Sequence, residues 1–271
     1  MKVLFIGDIV GDPGLRAVKE AFFRFRDSGQ RFDFVIANVE NAAGGFGVNK
    51  EALKKLLDLE FNCMTSGNHI WDRPEIYSIL NDEQSLLRPA NYPSGSPGFG
   101  WQVFKAGTGD QLVVINLQGR IFMNGIDCPF QTVDKILNGL NNKYEIIIVD
   151  FHAEATSEKQ AMGWYLDSRV SAVIGTHTHV QSAETRILPG GTGFITDVGM
   201  CGPYDSVIGM QVEDSLFRML KGRPNRLHVA NQNIKFAGAM LEIDELKGKC
   251  LAIERILLDI KAKERKQVQR F

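Results

Sequence analysis

Short uninterrupted apolar runs alternate along much of the chain with stretches whose apolar residues recur three or four positions apart. The runs at 3–6, 34–37, 62–65, 145–149 and 172–174 predict buried strands, since a strand with one wet face would alternate polar and apolar residues. A helix is expected from about Pro13, because proline suits a first helical turn. Another follows Asn49, a capping residue that sets Leu53, Leu56 and Leu57 on one face. A third, carrying Met162, Trp164, Tyr165 and Leu166, separates the last two runs. Regions 101–116, 184–196 and 235–258 are richer in strand, most clearly at 113–116, 193–196 and 252–258. Strand–helix units followed by strand-rich segments predict an α/β fold, either one mixed sheet or two sheets packed together, with helices outside. No internal repeat or linker divides it, so residues 1–271 are expected to form a single domain. The charged stretch 261–271 reads as a solvated helix end, with a phosphate-binding tail as the minor alternative.

Composition changes this picture little. The 271 residues, 44% hydrophobic and 23% charged, supply a sizeable core, and a net charge of −1 gives no global basic field for nucleic acid or membrane. A local metal site would still supply positive charge to a small anion. The opening apolar run stops at Gly7 and Asp8, too short for a signal or a membrane span, so a cytoplasmic protein without a membrane partner is expected. Cys63, Cys128, Cys201 and Cys250 form no C-x-x-C pair and read as free thiols of a reducing compartment.

Polar residues carry the chemical signal. Five segments place a metal-capable side chain just past a predicted strand: Gly7-Asp8, the Asn38–Asn41 stretch with Glu40, Gly67-Asn68-His69, Phe151-His152, and the stretch from Gly175 to His179. In α/β sheets the loops after strand carboxyl ends converge on one crevice. Four of the five histidines lie in these segments; His228 is the exception and reads as a surface or packing residue. His177 and His179 would point the same way on a strand, whereas on a loop they can reach two adjacent metals. Imidazoles with Asp8 and Glu40 suit borderline divalent ions, and no thiolate marks a closed structural zinc site.

In this order the motifs resemble the calcineurin-like metallophosphoesterase superfamily, whose pattern runs Asp, a bridging acid, G-N-H, a lone His and G-H-x-H. Here they are Asp8, Glu40, Gly67-Asn68-His69, His152 and Gly175-Thr176-His177-Thr178-His179, with Thr176 inserted after the glycine. The opening MKVLFIGDIVGDPG and the segments NVENAAGGFG, SGNHIWD and GTHTHVQSAE look like its bacterial YmdB-like branch. The resemblance implies a four-layer fold of two packed mixed sheets flanked by helices. It also implies two divalent ions, iron or manganese, with zinc the alternative. The first would be held by Asp8, Glu40, Asn41 and His179, the second by Glu40, Asn68, His152 and His177. Departures matter as well: Val10 stands where the superfamily has a histidine, which makes Asn41 the substitute ligand, and the bridging residue is glutamate. Ile70 follows G-N-H where the protein serine/threonine phosphatases have glutamate, and their G-D-x-x-D-R-G block is missing.

The implied activity is hydrolysis of a cyclic nucleotide, in particular a 2′,3′-cyclic one, by attack of metal-bridged hydroxide with His69 as general acid. RNA ends are a further substrate class, and a homo-oligomer is expected. A phosphomonoesterase, or a regulatory metal-binding protein with weak activity, are the alternatives. The stretch 42–47 reads equally as a lid with Phe46 stacking on a base or as a turn that needs positive φ. Trp71 is either a base platform or a packed indole, and Asp72 and Asp197 are candidates to orient ligand histidines.

Overall fold

The structure is a computed structural model that describes residues 1–260; the stretch 261–271, read above as a helix end, lies outside the described residues. The chain begins β1 (Lys2–Ile6), β2 (Asp8–Ile9), α1 (Gly11–Asp27), β3 (Phe34–Asn38), α2 (Lys50–Leu57), β4 (Cys63–Thr65) and α3 (Ile76–Ile79). It continues β5 (Trp101–Lys105), β6 (Gln111–Gln118), α4 (Pro129–Leu140), β7 (Ile146–His152), α5 (Thr156–Leu166), β8 (Ala172–Thr176), β9 (Thr185–Ile187) and β10 (Gly193–Ile195). It ends β11 (Met200–Pro203), α6 (Val212–Lys221), β12 (Ile234–Ile243) and β13 (Cys250–Asp259). Helix α1 starts ahead of Pro13, and Asn49 caps α2 by accepting from the Ala52 N–H at 2.8 Å, a contact worth about 1 kcal/mol. Leu53 and Leu56 of α2 are buried, but Leu57 turns outward.

Two sheets form. In one, β1 lies between parallel β3 and antiparallel β12, with β4 beyond β3 and β13 on the far edge of β12. The other runs β5-β6-β7-β8-β10-β9, parallel from β6 to β10 with antiparallel strands at both edges. Both are therefore mixed.

Strand parity explains why the apolar runs are continuous. Val3 and Phe5 of β1, Phe34 and Ile36 of β3, Leu112 and Val114 of β6, and Ile146 and Ile148 of β7 share one core between the sheets. Their neighbours face the helices: Leu4 and Ile6 meet Leu15, Val18 and Phe25 of α1. Likewise Ile147, Val149 and Phe151 meet Val133 of α4 and Met162 and Leu166 of α5. The result is helix, sheet, sheet, helix, the four layers expected.

Continuing the inter-sheet parity toward the carboxyl ends gives Asn38 on β3, Asn116 on β6, Asp150 and His152 on β7, and Thr176 on β8, all buried. The shared core thus turns polar at one end. That end is the site.

Gly7 sets the edge of this polar end. A side chain there would meet the Gly199 carbonyl oxygen at 2.1 Å, so only glycine lets β11 wedge between β12 and β2. The Asp8 N–H then donates to Gly199 O at 3.0 Å, which fixes Asp8 beside the carboxyl ends of β7 and β8. All four cysteines are free, three of them buried. Among the described residues no helix is long and apolar enough to cross a membrane.

Candidate metal centre

Side chains from separate strand ends close on one point. His152 Nε2 lies 3.0 Å from Glu40 Oε1, 3.2 Å from Asn68 Oδ1 and 3.1 Å from His177 Nδ1. Next to this group, Asp8 Oδ1 is 3.9 Å from both His152 Nδ1 and His179 Nε2. Asn41 Nδ2 is 3.1 Å from His179 Nε2 and 3.3 Å from Glu40 Oε1. Glu40 therefore stands between Asn68, His152 and His177 on one side and Asp8, Asn41 and His179 on the other. All seven side chains expected as ligands are brought together. Val10, where a histidine would have stood, is buried among Met200 and Met210 instead.

The donor set fits a cation. Glu40, His152 and His177 offer ligand atoms that all lie within 4.8 Å of one another. Asp8 Oδ1 is buried and has no hydrogen-bond partner among the described residues, a costly state unless a cation takes that oxygen. A half-turn of the Asn41 amide would present its carbonyl oxygen in place of its NH2. Ring nitrogens and hard oxygens without thiolate suit a borderline divalent ion.

Local backbone makes this crowding possible. Gly67 is extended, and a Cβ on it would lie 2.1 Å from the His152 ring and 2.5 Å from Glu40 Oε2. Beyond β8 the chain turns at once: His177 has φ 101° and His179 φ 65°. These left-handed conformations are costly for residues with a side chain, and they send the two rings to different halves of the cluster.

Burial and mutual charge separate the titrations. Burial pushes the Asp8 carboxyl well above its usual range. It would raise Glu40 too, but the charge and hydrogen bond of His152 hold Glu40 down at about 2. Burial disfavours a charged His152, yet Glu40, Asp8 and Asp150 around it lift it to about 9. Burial and the His152 charge lower His177 to about 3, and burial lowers His179. Glu40 thus holds a firm negative charge, while His177 and His179 stay neutral with lone pairs for a metal.

The partners behind the rings differ from those expected. Asp72 does not touch a ligand histidine; its Oδ2 is 2.7 Å from His69 Nδ1. Asp197 orients no ring either. It accepts from Lys159 Nζ at 2.6 Å and from Thr178 N–H and O–H at 3.0 and 2.7 Å, clamping the residue between His177 and His179. The ring contacts come from residues the sequence reading missed. His152 Nδ1 is 2.9 Å from Thr176 Oγ1, which donates to Asp150 Oδ1 at 2.7 Å. His177 Nε2 is 3.1 Å from Glu154, and His179 Nδ1 is 2.9 Å from the Ile208 carbonyl. Asn38 adds a bond to Asp150 at 3.1 Å. The inserted Thr176 was the available signal, together with the polar ends of strands of one parity.

Lys159 and Asp197 are both buried, so removing one charge strands the other. Lys159→Met should destabilise the fold by about 3–5 kcal/mol and loosen the histidine loop; denaturant unfolding measures it.

The cluster opens into a cavity of ≈ 470 Å³. Glu40, Asn41, His69, His177 and His179 line its polar end, and Phe46, Val207, Ile208, Met210, Met219 and Leu227 its apolar part. The stretch 42–47 contains the turn that needs positive φ. Gly44, Gly45 and Gly47 have positive φ, and Arg73 binds the carbonyls of Phe46 and Ala43 at 3.0 and 2.8 Å. Phe46 is held against the His69 ring with centroids 5.1 Å apart. Trp71 stacks on Tyr77 and edges against Tyr92, the packed-indole alternative. His228 lies on the surface, paired to Asp214 at 2.8 Å.

Known proteins match along nearly the full chain. It is 46% identical over 259 residues to a Bacillus subtilis (strain 168) protein named 2′,3′-cyclic-nucleotide 2′-phosphodiesterase, covering 96% of this chain and 97% of that one. A crystal structure of a hypothetical protein from Thermus thermophilus superposes with a TM-score of 0.89 at 42% identity, covering 96% and 99% of the two chains. A crystal structure of a Mycoplasma pneumoniae phosphatase gives the same TM-score, 0.89, at 32% identity and coverage of 96% and 93%. The sequence profile described as YmdB-like protein matches residues 4–256, and with relatives of this identity and coverage the chain belongs to the YmdB-like protein family.

Proposed function

We propose that the chain hydrolyses 2′,3′-cyclic nucleotides, or the same cyclic phosphate at an RNA end, with two divalent cations. The observation that carries this is the convergence of Glu40, Asn68 and His177 within 3.2 Å of His152 Nε2, beside an Asp8 oxygen that has no partner among the described residues. Asp8, Glu40, Asn41 and His179 would hold one ion, and Glu40, Asn68, His152 and His177 the other, iron or manganese being favoured. When bound, the pair supplies Lewis acidity toward water and toward the phosphoryl oxygens.

The chain's own residues do the rest. Glu40 is fixed by the His69 N–H, which donates to Oε2 at 2.9 Å. Asp72 occupies His69 Nδ1 and leaves Nε2 for the cavity, where it gives a proton to the departing 2′ oxygen. Water adds to phosphorus and gives up a proton. The bond to the 2′ oxygen breaks as that oxygen takes the Nε2 proton of the imidazolium form of His69. The water's proton restores that form, and a 3′-phosphate remains. The apolar part of the cavity favours an ester with a bulky organic group over a simple phosphomonoester.

Purified protein supplied with Mn²⁺ should convert 2′,3′-cyclic AMP to 3′-AMP. No turnover with two ions bound per chain would overturn the assignment. Elemental analysis should find two ions per chain; one would remove the paired-ion reading. Because the folded site alone gathers the donors, Mn²⁺ at ~100 times its Kd should raise stability over chelator-treated protein by about 2.7 kcal/mol for each ion bound, about 5.4 kcal/mol for two, read as a higher Tm.

A further inference from the structure

A backbone outlier sits in the cavity wall. Val207 and Met210 exchange backbone hydrogen bonds at 2.9 and 3.0 Å, closing a two-residue turn of Ile208 at φ 46° and Gly209 at φ 100°. Turns with positive φ at both central residues take Asn, Asp or Gly at the first of them. A β-branched residue is the least suited of all. The turn also presents the Ile208 carbonyl to His179, but glycine would present that carbonyl equally well. Nor is the side chain spent on packing: Ile208 is 54% exposed and lines the cavity. Backbone strain of this kind gathers at ligand clamps, where the surrounding structure holds it in place.

The rest of the wall tells what such a side chain would meet. Phe46 is tethered through its own carbonyl to Arg73, Met210 and Leu227 form an apolar patch with it, and Met219 lies at the rim on α6. Among the described residues lining the cavity, Asn41 supplies the only amide side chain, and it belongs to the cation cluster. Arg218, also in the lining, already gives Nη2 and Nε to Asn225 at 2.7 and 3.4 Å. A flat, apolar-faced group is accommodated; of the other polar lining, Glu154 is engaged by His177 and Thr178 by Asp197, which leaves the Ser215 hydroxyl, able to donate or accept, to meet its edge.

We infer that Ile208 and Phe46 form the seat of the nucleobase, which accepts purines and pyrimidines alike while the phosphate lies at the cation cluster. This rests on the nucleotide reading above and adds where the base goes and which residue holds it. The strain at Ile208 is kept because its side chain contacts ligand.

Titration calorimetry of the metal-loaded protein with adenosine 3′-monophosphate and with ribose 3-phosphate tests it. Wild type should bind the nucleotide about tenfold tighter than the base-free phosphate, within the range a base contact provides. Ile208→Gly and Ile208→Asn should lose that advantage, keep their affinity for ribose 3-phosphate, and melt at or above the wild-type temperature, since both residues suit the turn. Ile208→Leu should restore the advantage. Equal affinity of wild type for the two ligands, a base advantage that survives in Ile208→Gly, or a lowered melting temperature in that variant would each overturn the seat. An intact, Ile208-dependent base advantage without turnover of 2′,3′-cyclic AMP would support the seat and sink the diesterase reading alone.

Discussion

Replacing His69 with alanine should slow hydrolysis of 2′,3′-cyclic AMP by ~10²–10⁴-fold while metal content is kept. The ring of His69 makes its closest polar contact with Asp72, and only its backbone N–H touches the cluster, donating to Glu40 Oε2 at 2.9 Å. Alanine keeps that N–H. What the substitution removes is an imidazole on the cavity wall, with Nδ1 occupied and Nε2 available to a leaving oxygen. Elemental analysis beside steady-state rates separates the outcomes. Full metal content with collapsed turnover fits proton transfer; metal lost in proportion to activity would make the ring part of the cation cage and end the general-acid role.

Gly67→Ala should weaken cation binding at His152 and Glu40 with a side chain that never touches substrate. The added methyl would sit 2.1 Å from the His152 ring and 2.5 Å from Glu40 Oε2, well inside contact distance. His152 is fully buried and held from behind by Thr176, so it has little room to retreat. The expected loss in metal affinity is at the upper end of the ~10–100-fold that disturbing a ligand's support produces. Overpacking adds about 1–3 kcal/mol of destabilisation. Metal titration of apo protein gives the first effect and thermal melting the second. A variant that binds two ions with wild-type affinity would mean that His152 and Glu40 can shift freely, against the rigidity argued for this end of the core.

How much of this was legible follows from which interactions are local. Strands buried on both faces announce themselves as unbroken apolar runs, so β1, β3, β4, β7 and β8 were readable, and so was the gathering of polar side chains at their ends. Strand β7 ran on past its apolar run, to make His152 its last residue. The Asp150–Thr176–His152 chain was hidden because it depends on which face each strand turns inward and on the register between β7 and β8. Asp72 and Asp197 were noticed by type and position, yet their partners are set by where turns and loops fold back, which spacing does not encode. Of the cavity's apolar wall only Phe46 was singled out: Val207, Met210 and Leu227 lie in irregular chain around α6, with no periodicity to mark them.

Strand β1 is completed only by a strand made more than two hundred residues later. Lys2 of β1 pairs with Glu242 and Ile6 with Gly238, so one of its two neighbours comes near the end of the described chain. Until β12 leaves the ribosome, one edge of a strand apolar on both faces lacks its native partner, although the histidines nearest Asp8, at the end of β7 and in the turn beyond β8, have already been made. Contacts of such long sequence separation slow folding and expose nascent chains to aggregation. A nascent chain stalled before β12 would present β1 to whatever holds unfinished proteins.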